Sequence, residues 1–315
     1  MPQKRKGKKR ILAVLIAVAV IVVASALLQR FLPSFSKADD YVSSVYNEVG
    51  QSLGLTEGVD DGLYVRFIDV GQGDCELIVC DGKVMLIDAG EFGNETKVIN
   101  TLKGLGIKTI DYAVATHPHS DHIGALAEVL AEFTVRNYLT YKLPAELVPD
   151  AYYYTKLVCE IEEAGANTVY AKPGIVFMLG GAKVTVVGPV DVSDNLNNMS
   201  IVLRVDYGNT SYLFEGDAER EEELGIIASG ADVDCDVLKI GHHGGDSSTS
   251  DEYLKAVTPG IAVISCGKNN DYGHPHDTVL RRLSLFTENI YRTDIYSDIV
   301  VSSDGKTYKV TYADK

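Results

Sequence analysis

The histidines of this chain are confined to three short stretches, and this distribution constrains the fold more than any other feature. All seven histidines lie within residues 117–122, 242–243 and 274–276. Each stretch follows an apolar run of strand length, so each lies beyond the end of a predicted strand. Strand ends at one edge of a sheet can converge on a site. We therefore expect a fold that brings these three distant stretches to a single rim.

The first stretch, residues 117–122 (HPHSDH), carries three imidazoles and one carboxylate. Packing does not explain such a loop, because buried imidazoles need partners and exposed loops have no reason to collect them. Imidazole and carboxylate together suit Zn²⁺ or a similar divalent ion. His117 and His119 can share one ion, since alternate residues of an extended loop point the same way. Asp121 and His122, at the start of the next helix, can hold a second.

Two later strand ends offer further ligands. One predicted strand runs into Asp217 before a helix, and the two oxygens of this carboxylate could bridge two ions, although Asp is also an ordinary helix N-cap. Another strand, 237–240, ends at Gly241 and leads to His242 and His243. Three histidine-bearing strand ends in one chain favour a common metal site over chance.

Strand and helix patterns alternate from residue 63 to the C-terminus. The predicted strands are 63–70, 75–80, 84–88, 111–116, 183–188, 201–206, 211–215, 235–240 and 261–265. The predicted helices are 94–102, 123–133, 151–164, 218–228 and 277–286. Early hairpins followed by strand–helix alternation fit mixed sheets covered by helices, in a single α/β domain over residues 63–315.

Taken together, these stretches resemble the metallo-β-lactamase superfamily, whose signature loop is HPHSDH after an apolar strand. Further stretches resemble one branch, the metallohydrolase domain attached to ComEC-type competence proteins. They are 67–74 (FIDVGQGD), 86–90 (LIDAG), 197–200 (NNMS), 216–217 (GD), 241–244 (GHHG) and 273–275 (GHP). The resemblance covers about residues 64–312. It implies an αββα sandwich with a metal site at one end of the two sheets.

The resemblance also implies six metal ligands divided between two ions, Zn²⁺ or alternatively Mn²⁺. They are His117 and His119 on the first ion, Asp121, His122 and His243 on the second, and Asp217 on both. Many members of the superfamily have a further metal-binding histidine between the loop and the bridging Asp, but this chain has Asn197, Asn198 and Ser200 in that region. We therefore expect a weaker or exchangeable first ion, and single-ion occupancy stays open.

Three residues are expected to act in catalysis: Asp121, His242 and His274. Asp121 would orient the attacking water, while His274, at the substrate edge, or His242, beside the second ion, would hydrogen-bond the developing oxyanion or protonate the leaving group. Three other acidic residues are expected to be structural or to support the ligands rather than to bind metal. They are Asp69, Asp74 and Asp88.

The N-terminus has the pattern of a membrane anchor. Residues 1–10 carry six positive charges, and residues 11–28 form an apolar run with Ser25 as its one polar side chain. As a helix this run spans about 27 Å, close to a hydrocarbon core of about 30 Å. The basic segment should stay cytoplasmic, which sends the body across the membrane. A single-pass signal anchor and a signal peptide cleaved after residues 24–26 (ASA) both stay open. Residues 29–62 are expected to form a linker.

Charge limits the substrate classes. The net charge is −15, and without the basic residues of the first 30 positions the body carries −22. So acidic a body does not fit a broad, nonspecific DNA-binding groove. Local bases near the predicted site could still hold one phosphate, unless they are ordinary surface charges: Lys239, Lys268, Arg281 and Arg282.

The substrate itself stays open at this stage. A two-ion site suits a phosphodiester, because two ions can clamp the attacking and leaving oxygens. The resemblance points to nucleic acid and to a DNA-uptake channel as partner. A phosphocholine-type esterase is an alternative, with tyrosines 152–154 caging a quaternary ammonium, although packing also explains that triplet. A non-catalytic metal-binding module of a DNA-uptake assembly is the third possibility.

Cysteine usage adds little. The chain has five cysteines, an odd number without a C-x-x-C pair. An odd number leaves at least one cysteine unpaired within the chain. We expect all five to be buried thiols.

Overall fold

The computed structural model describes residues 62–312. Within the described residues, 101–107 belong to one unit and residues 62–100 and 108–312 to a second. Residues 101–107 of the first unit contain the end of a helix. The sheets and the candidate site lie in the second unit.

The predicted basic segment, the predicted anchor at 11–28 and nearly all of the predicted linker lie outside the described residues. Within residues 62–312, none of the helices combines the length and the apolar character that a membrane crossing needs.

Residues 62–312 form fifteen strands. They are β1 (Leu63–Phe67), β2 (Glu76–Cys80), β3 (Lys83–Ile87), β4 (Thr109–Val114), β5 (Thr134–Thr140), β6 (Asn167–Tyr170), β7 (Val176–Leu179), β8 (Ala182–Gly188), β9 (Val202–Tyr207), β10 (Thr210–Phe214), β11 (Val237–Lys239), β12 (Ile261–Ile264), β13 (Ile290–Arg292), β14 (Ile299–Ser303) and β15 (Tyr308–Tyr312). Every predicted strand overlaps one of them.

Eight α-helices accompany these strands in the described part of the chain. They are α1 (Glu95–Gly104), α2 (Ser120–Ile123), α3 (Leu126–Ala131), α4 (Tyr152–Ala164), α5 (Arg220–Ser229), α6 (Asp251–Val257), α7 (Asp277–Leu283) and α8 (Thr293–Tyr296). Short 3₁₀ turns cover Ala145–Leu147, Leu196–Met199 and Gly241–Gly244.

The strands form two mixed sheets. The first has the order β15-β14-β1-β2-β3-β4-β5-β6, and the second has the order β13-β12-β11-β10-β9-β8-β7. In the first sheet β3, β4, β5 and β6 pair in parallel, and in the second sheet β10, β11, β12 and β13 do so. The parallel strands matter for function, because their carboxyl ends share one edge.

The two sheets pack face to face because their strands are apolar on both sides. Along β10, Tyr212 and Phe214 point into the core between the sheets, whereas Leu213 points to the opposite face. This is the two-residue period of a strand buried on both faces. The outer face of the second sheet packs against α5, α6 and α7, and α3 and α4 contact β5 of the first sheet. The layers form the αββα sandwich that the resemblance implies.

Two predictions about this part of the chain were wrong in detail. The predicted helix 123–133 is split into α2 and α3, because the N–H of Ala125 donates to the carbonyl oxygen of Gly90, in the loop after β3, at 3.0 Å. Ala125 has φ −97° and ψ −3°, whereas Gly124 keeps helical angles. The cysteines are not all buried either, since Cys159 on α4 is exposed while the other four are buried.

Candidate metal centre

Three parallel strands of the second sheet deliver candidate ligands to one edge. β10, β11 and β12 are neighbours in the sheet and run in the same direction. The loops that follow them carry Asp217, the pair His242 and His243, and His274. The rings of His242 and His274 have centroids 5.4 Å apart, so two of the three histidine stretches meet here.

The remaining histidine stretch, residues 117–122, follows β4 and is anchored by Asp88. The backbone N–H of Thr116 donates to Asp88 Oδ1 at 2.9 Å, and the Thr116 hydroxyl donates to Asp88 Oδ2 at 2.6 Å. Asp88 is fully buried directly after β3. These bonds fix the loop at the residue before His117, and the ring of His122 comes within 5.2 Å of that of His243, centroid to centroid. All three stretches therefore converge.

One group of donors comprises His117, His119 and Asp217. One donor atom from each lies within 4.8 Å of the other two. His117 Nε2 is 3.0 Å from His119 Nδ1 and 3.7 Å from Asp217 Oδ2. Burial and the neighbouring His122 hold the pKa of His117 well below its usual value, and burial also lowers the pKa of His119. Both imidazoles are therefore neutral at pH 7, which is the form that binds a metal.

A second group comprises Asp121, His122, Asp217 and His243, again with donor atoms within 4.8 Å of one another. His122 Nε2 lies 3.2 Å from Asp217 Oδ1, and His243 Nε2 lies 3.5 Å from the same oxygen. His243 Nε2 is also 3.3 Å from Asp121 Oδ2. The two groups share Asp217, which turns Oδ2 to the first and Oδ1 to the second.

The second group passes a test for a cation site. Three of its buried donor atoms have no hydrogen-bond partner within residues 62–312, namely His122 Nε2, Asp217 Oδ1 and His243 Nε2. Orphaned buried polar atoms are costly, and here they face one common space. A divalent cation in that space would satisfy all three, and imidazole plus carboxylate is a donor set that Zn²⁺ or Mn²⁺ accepts.

Hydrogen bonds on the far side of each ring set the tautomers of this group. His122 Nδ1 lies 2.7 Å from Asp88 Oδ2, and His243 Nδ1 lies 3.0 Å from the carbonyl oxygen of Ser265. A carbonyl and a carboxylate accept hydrogen bonds, so each Nδ1 carries a proton. In the neutral ring the lone pair then lies on Nε2, facing the shared space.

The electrostatics of the second group also favour a cation. Burial lowers the pKa of His243, but the carboxylates of Asp217 and Asp74 outweigh burial and raise that pKa to about 10. Burial opposes ionisation of Asp121, yet the close contact with His243 and the charge of His122 hold the pKa of Asp121 below its usual value. Burial likewise lowers the pKa of His122, but Asp217 and Asp88 outweigh it and raise that pKa well above its usual value. The carboxylates therefore attract positive charge to both rings, and a divalent ion would displace the protons from their Nε2 atoms.

Asp217 is held in place by residues 197–200, the Asn-Asn-Met-Ser stretch. Its backbone N–H donates to Ser200 Oγ at 3.0 Å, and the same hydroxyl lies 3.2 Å from His117 Nδ1. Asn197 and Asn198 bind Glu219 through Asn197 Nδ2 to Oε1 at 3.0 Å and through the Glu219 N–H to Asn198 Oδ1 at 3.0 Å. The Asn-Asn-Met-Ser stretch therefore positions the first group, which is left with three donors.

His242 lies at the edge of the first group. Its Nε2 is 3.8 Å from Asp217 Oδ2, and its Nδ1 is 3.0 Å from the hydroxyl of Ser247. That hydroxyl also donates to Glu219 Oε1 at 3.1 Å. Sequence reasoning missed Ser247 and Glu219, although both are polar residues in loops next to a predicted ligand.

His274 lines the same cleft but belongs to neither donor group. Gln72 accepts the Gly267 N–H through Oε1 at 3.1 Å, which turns its amide nitrogen to His274 Nδ1 at 3.4 Å. Nδ1 is then an acceptor and the proton of the neutral ring lies on Nε2. Burial and the neighbouring His243 and His242 lower the pKa of His274 to about 4. His274 is therefore a neutral N–H donor at pH 7.

These residues line an open cleft of about 340 Å³. Its walls include His119, Asp121, Asp217, His242, His243 and His274 from the predicted site, with Gln72, Tyr153, Asn197 and Tyr272 added. Tyr272 is exposed on the rim and its ring stacks on that of His274, with centroids 5.6 Å apart. A substrate oxygen can thus reach both donor groups from solvent.

One candidate phosphate contact was wrong. Lys239 is 1% exposed and its Nζ lies 2.6 Å from Asp74 Oδ2, so it cannot meet a phosphate in the cleft. Arg282 donates to two backbone carbonyls in the loop before α6, at 3.1 and 2.6 Å. Lys268 and Arg281 are exposed.

The tyrosine triplet does not form a cage. Tyr152 is 73% exposed, Tyr153 lines the cleft and donates its hydroxyl hydrogen to the carbonyl of Pro118 at 3.1 Å, and Tyr154 lines a different, small cavity. The three rings therefore do not surround one ligand.

Asp74 and Asp88 lie next to predicted ligands, with Asp74 3.2 Å from His243 and Asp88 2.7 Å from His122. Asp69 lies elsewhere: its backbone N–H donates to Asp298 and its carboxylate lies 3.8 Å from Lys97 Nζ.

Comparison with known proteins adds three findings. The family model of the metallo-β-lactamase superfamily matches residues 68–268. ComE operon protein 3 of Bacillus subtilis is 31% identical over 254 residues, covering 73% of this chain and 32% of that protein. Competence protein ComA of Neisseria gonorrhoeae is 28% identical over 229 residues, covering 72% of this chain and 30% of that protein. The chain thus spans about a third of the length of these relatives.

Among solved structures, CmlA, a diiron β-hydroxylase from Streptomyces venezuelae, matches with a TM-score of 0.54. The match is 15% identical and covers 77% of this chain and 54% of that chain, so it supports the fold alone. The family match spans most of the sandwich and all of the donor groups described above. The chain belongs to the metallo-β-lactamase superfamily, whose members are metal-dependent hydrolases and whose fold binds divalent metal ions.

Proposed function

We propose that this protein is a metal-dependent phosphodiesterase that acts on nucleic acid, in a process linked to DNA uptake. The observation that carries this proposal is the pair of donor groups that share Asp217, His117 and His119 on one side and Asp121, His122 and His243 on the other. Two adjacent cations suit a phosphodiester, because they can contact both the attacking and the leaving oxygen. The relative named as a competence protein supports the link to DNA.

Zn²⁺ is the ion that the donor set favours, with Mn²⁺ as the alternative. His117, His119 and Asp217 would hold one ion, and Asp121, His122, His243 and Asp217 the other. Cations bound there would polarise a phosphoryl oxygen and lower the pKa of water to about 7. With three donors against four, the first group is expected to bind its ion more weakly.

The chain's own residues would perform the remaining tasks. Asp121 is partly exposed in the cleft while one of its oxygens lies 3.3 Å from His243, so the carboxylate can also accept a hydrogen bond from a water molecule and orient it. His274, neutral with its proton on Nε2, can donate to an oxygen that gains negative charge during bond cleavage. His242, also on the cleft wall, can protonate the leaving group.

A hydrolysis panel tests this proposal. The full chain, purified in detergent and loaded with Zn²⁺ or Mn²⁺, would be assayed on single-stranded DNA, a cyclic dinucleotide, a choline phosphodiester and a chromogenic phosphodiester. We expect turnover of the nucleic acid substrates that chelator abolishes. Asp121→Ala should abolish turnover while the circular dichroism spectrum stays unchanged.

Other outcomes would point to the competing functions. Preference for the choline ester would favour a phosphocholine-type esterase. Bound metal without turnover on any ester would favour a non-catalytic module of a DNA-uptake assembly. Full activity of Asp121→Ala at normal metal content would contradict the role given to Asp121.

We also propose that residues 11–28 anchor the protein in the cell membrane with residues 63–315 outside the cytoplasm. The charge asymmetry around this apolar run supports the orientation. Protease added to intact cells from which the outer layers have been removed should then degrade the C-terminal body. Protection of the body under these conditions, with degradation after lysis, would contradict it.

A further inference from the structure

Lys239 is a buried cation that the proposed chemistry does not use. It lies on β11 with 1% of its surface exposed. Its ammonium group lies 2.6 Å from Asp74 Oδ2 and donates to the carbonyl oxygen of Ile240 at 2.8 Å. A lysine is almost never this deeply buried unless it is paired. The pair lies next to the second donor group, because Asp74 also contacts His243.

Asp74, the partner of Lys239, contacts two residues of the second donor group. Asp74 Oδ1 lies 3.2 Å from His243 Nδ1, and the backbone N–H of Asp74 donates to the carbonyl oxygen of Asp121 at 3.2 Å. The carboxylate thus has one oxygen on Lys239 and the other beside the ring of His243. A residue that fixes the position of Asp74 therefore also fixes the negative charge beside His243 Nδ1.

The orientation of His243 depends on what lies behind it. Its Nδ1 donates to Ser265 O at 3.0 Å, and Asp74 Oδ1, which has no hydrogen-bond partner within residues 62–312, places its negative charge 3.2 Å from the same atom. With Nδ1 protonated, Nε2 faces the space shared with Asp121 and Asp217. Partners behind a metal-binding histidine set its orientation and its basicity.

We infer that Lys239 is a positioning residue for this metal centre: its ion pair with Asp74 holds that carboxylate against His243 and so keeps His243 Nε2 directed at the cation. This inference rests on the metal centre proposed above. A purely structural ion pair would contribute to folding but would leave the cation affinity of a folded variant unchanged.

The test measures affinity for one ion at a time. His119→Ala is used as the background, because it removes a donor from the first group and leaves the second intact. Zn²⁺ affinity of the full chain is measured by competition with a chromophoric chelator, with and without Lys239→Met. We expect Lys239→Met to weaken binding at the second group by about 10–100-fold, the range seen when partners behind a ligand are removed.

Two comparisons separate positioning from general destabilisation. Arg204→Met removes another largely buried cation, which pairs with Asp206 at 2.8 Å at a site remote from the donor groups, and it should leave Zn²⁺ affinity unchanged. Asp74→Asn should weaken binding as Lys239→Met does. Because Lys239 acts through Asp74, adding Lys239→Met to Asp74→Asn should cost little more.

Three results would overturn the inference. One is a folded Lys239→Met variant whose Zn²⁺ affinity lies within twofold of the background. If Lys239→Met does not fold, unchanged affinity in Asp74→Asn would have the same meaning. A wild-type chain that binds no divalent cation would remove the proposed centre itself, whereas normal wild-type binding with an unaffected Lys239→Met would remove only the role of Lys239.

Discussion

The Nδ1 atom of His122 lies 2.7 Å from Oδ2 of Asp88, and both side chains are fully buried. The same carboxylate accepts two hydrogen bonds from Thr116, which precedes the first predicted ligand. Asp88 therefore supports the candidate centre twice, by orienting the ring of one candidate ligand and by anchoring the loop that carries others. These contacts give the buried carboxylate after β3 a structural role.

Asp88→Asn should weaken Zn²⁺ binding by about 10–100-fold, because the amide cannot supply the charge that makes His122 a better ligand. Chelator competition on the full chain measures the change. Asp111→Asn is the matched control, since Asp111 is also a buried carboxylate, which accepts the Val84 N–H at 3.0 Å at the opposite end of β4. If both variants lost the same Zn²⁺ affinity, the effect of Asp88→Asn would come from a general loss of folding and not from the contact with His122.

The shared carboxylate makes a stoichiometric prediction. His119→Ala removes a donor from the first group alone, so elemental analysis should show the loss of one ion per chain. Asp217→Ala removes a donor from both groups, so it should leave the protein nearly free of metal. A chain that retains its full metal content after Asp217→Ala would show that Asp217 does not bridge the two groups.

Much of this site could be predicted from strand periodicity and the residues at strand ends. β11 and most of β10 are buried on both faces, as their short apolar runs predict, and the residues that follow them bring Asp217, His242 and His243 to one edge. This convergence could be predicted without side-chain contacts, because neighbouring parallel strands have their carboxyl ends at the same edge of the sheet.

The features that could not be predicted from the sequence depend on the direction of a side chain or on a contact between distant parts of the chain. By sequence Lys239 is one of the bases that could hold a phosphate or lie on the surface, yet the two-residue period of β11 places it on the same face as Val237, which lies in the core between the sheets. The break between α2 and α3 results from the hydrogen bond of Ala125 to Gly90, in the loop after β3, which no local pattern encodes. Six strands were not predicted, namely β5, β6, β7, β13, β14 and β15, and they lie at the sheet edges or next to them.

The turn at 71–74 offers a matched pair of glycine substitutions. Gly73 has φ +130°, and a Cβ there would overlap the carbonyl oxygen of Asp121. Gly71 has φ +74°, and nothing lies within 4 Å of its Cβ position. Gly71→Ala should cost about 1–2 kcal/mol of stability from backbone strain alone.

Gly73→Ala should do more, because it must displace the Asp121 backbone. We expect a larger fall in melting temperature than for Gly71→Ala, together with weaker Zn²⁺ binding at the second group. Differential scanning calorimetry and chelator competition measure the two effects. Identical behaviour of the two variants would mean that the turn does not press on the metal-binding loop.

The free energy of unfolding is expected to depend on pH through Glu222, which is not one of the candidate metal ligands. Glu222 on α5 is 4% exposed, and its Oε1 accepts the N–H of Val190 at 2.7 Å. Burial raises the pKa of Glu222 from 4.5 to about 7 in the folded protein. Between these values the folded state binds more protons than the unfolded state, so this group's contribution to the free energy of unfolding falls as pH rises.

Glu222→Gln removes this titration but keeps an oxygen for the Val190 N–H. Relative to the wild type, the variant should therefore gain stability between pH 5 and pH 8, on the order of 2 kcal/mol. Urea unfolding at the two pH values measures the gain. Glu221→Gln removes the same charge from an exposed neighbouring position and serves as the control. If the difference between Glu222→Gln and wild type is the same at both pH values, the carboxyl group does not titrate in this range and its burial does not govern its ionisation.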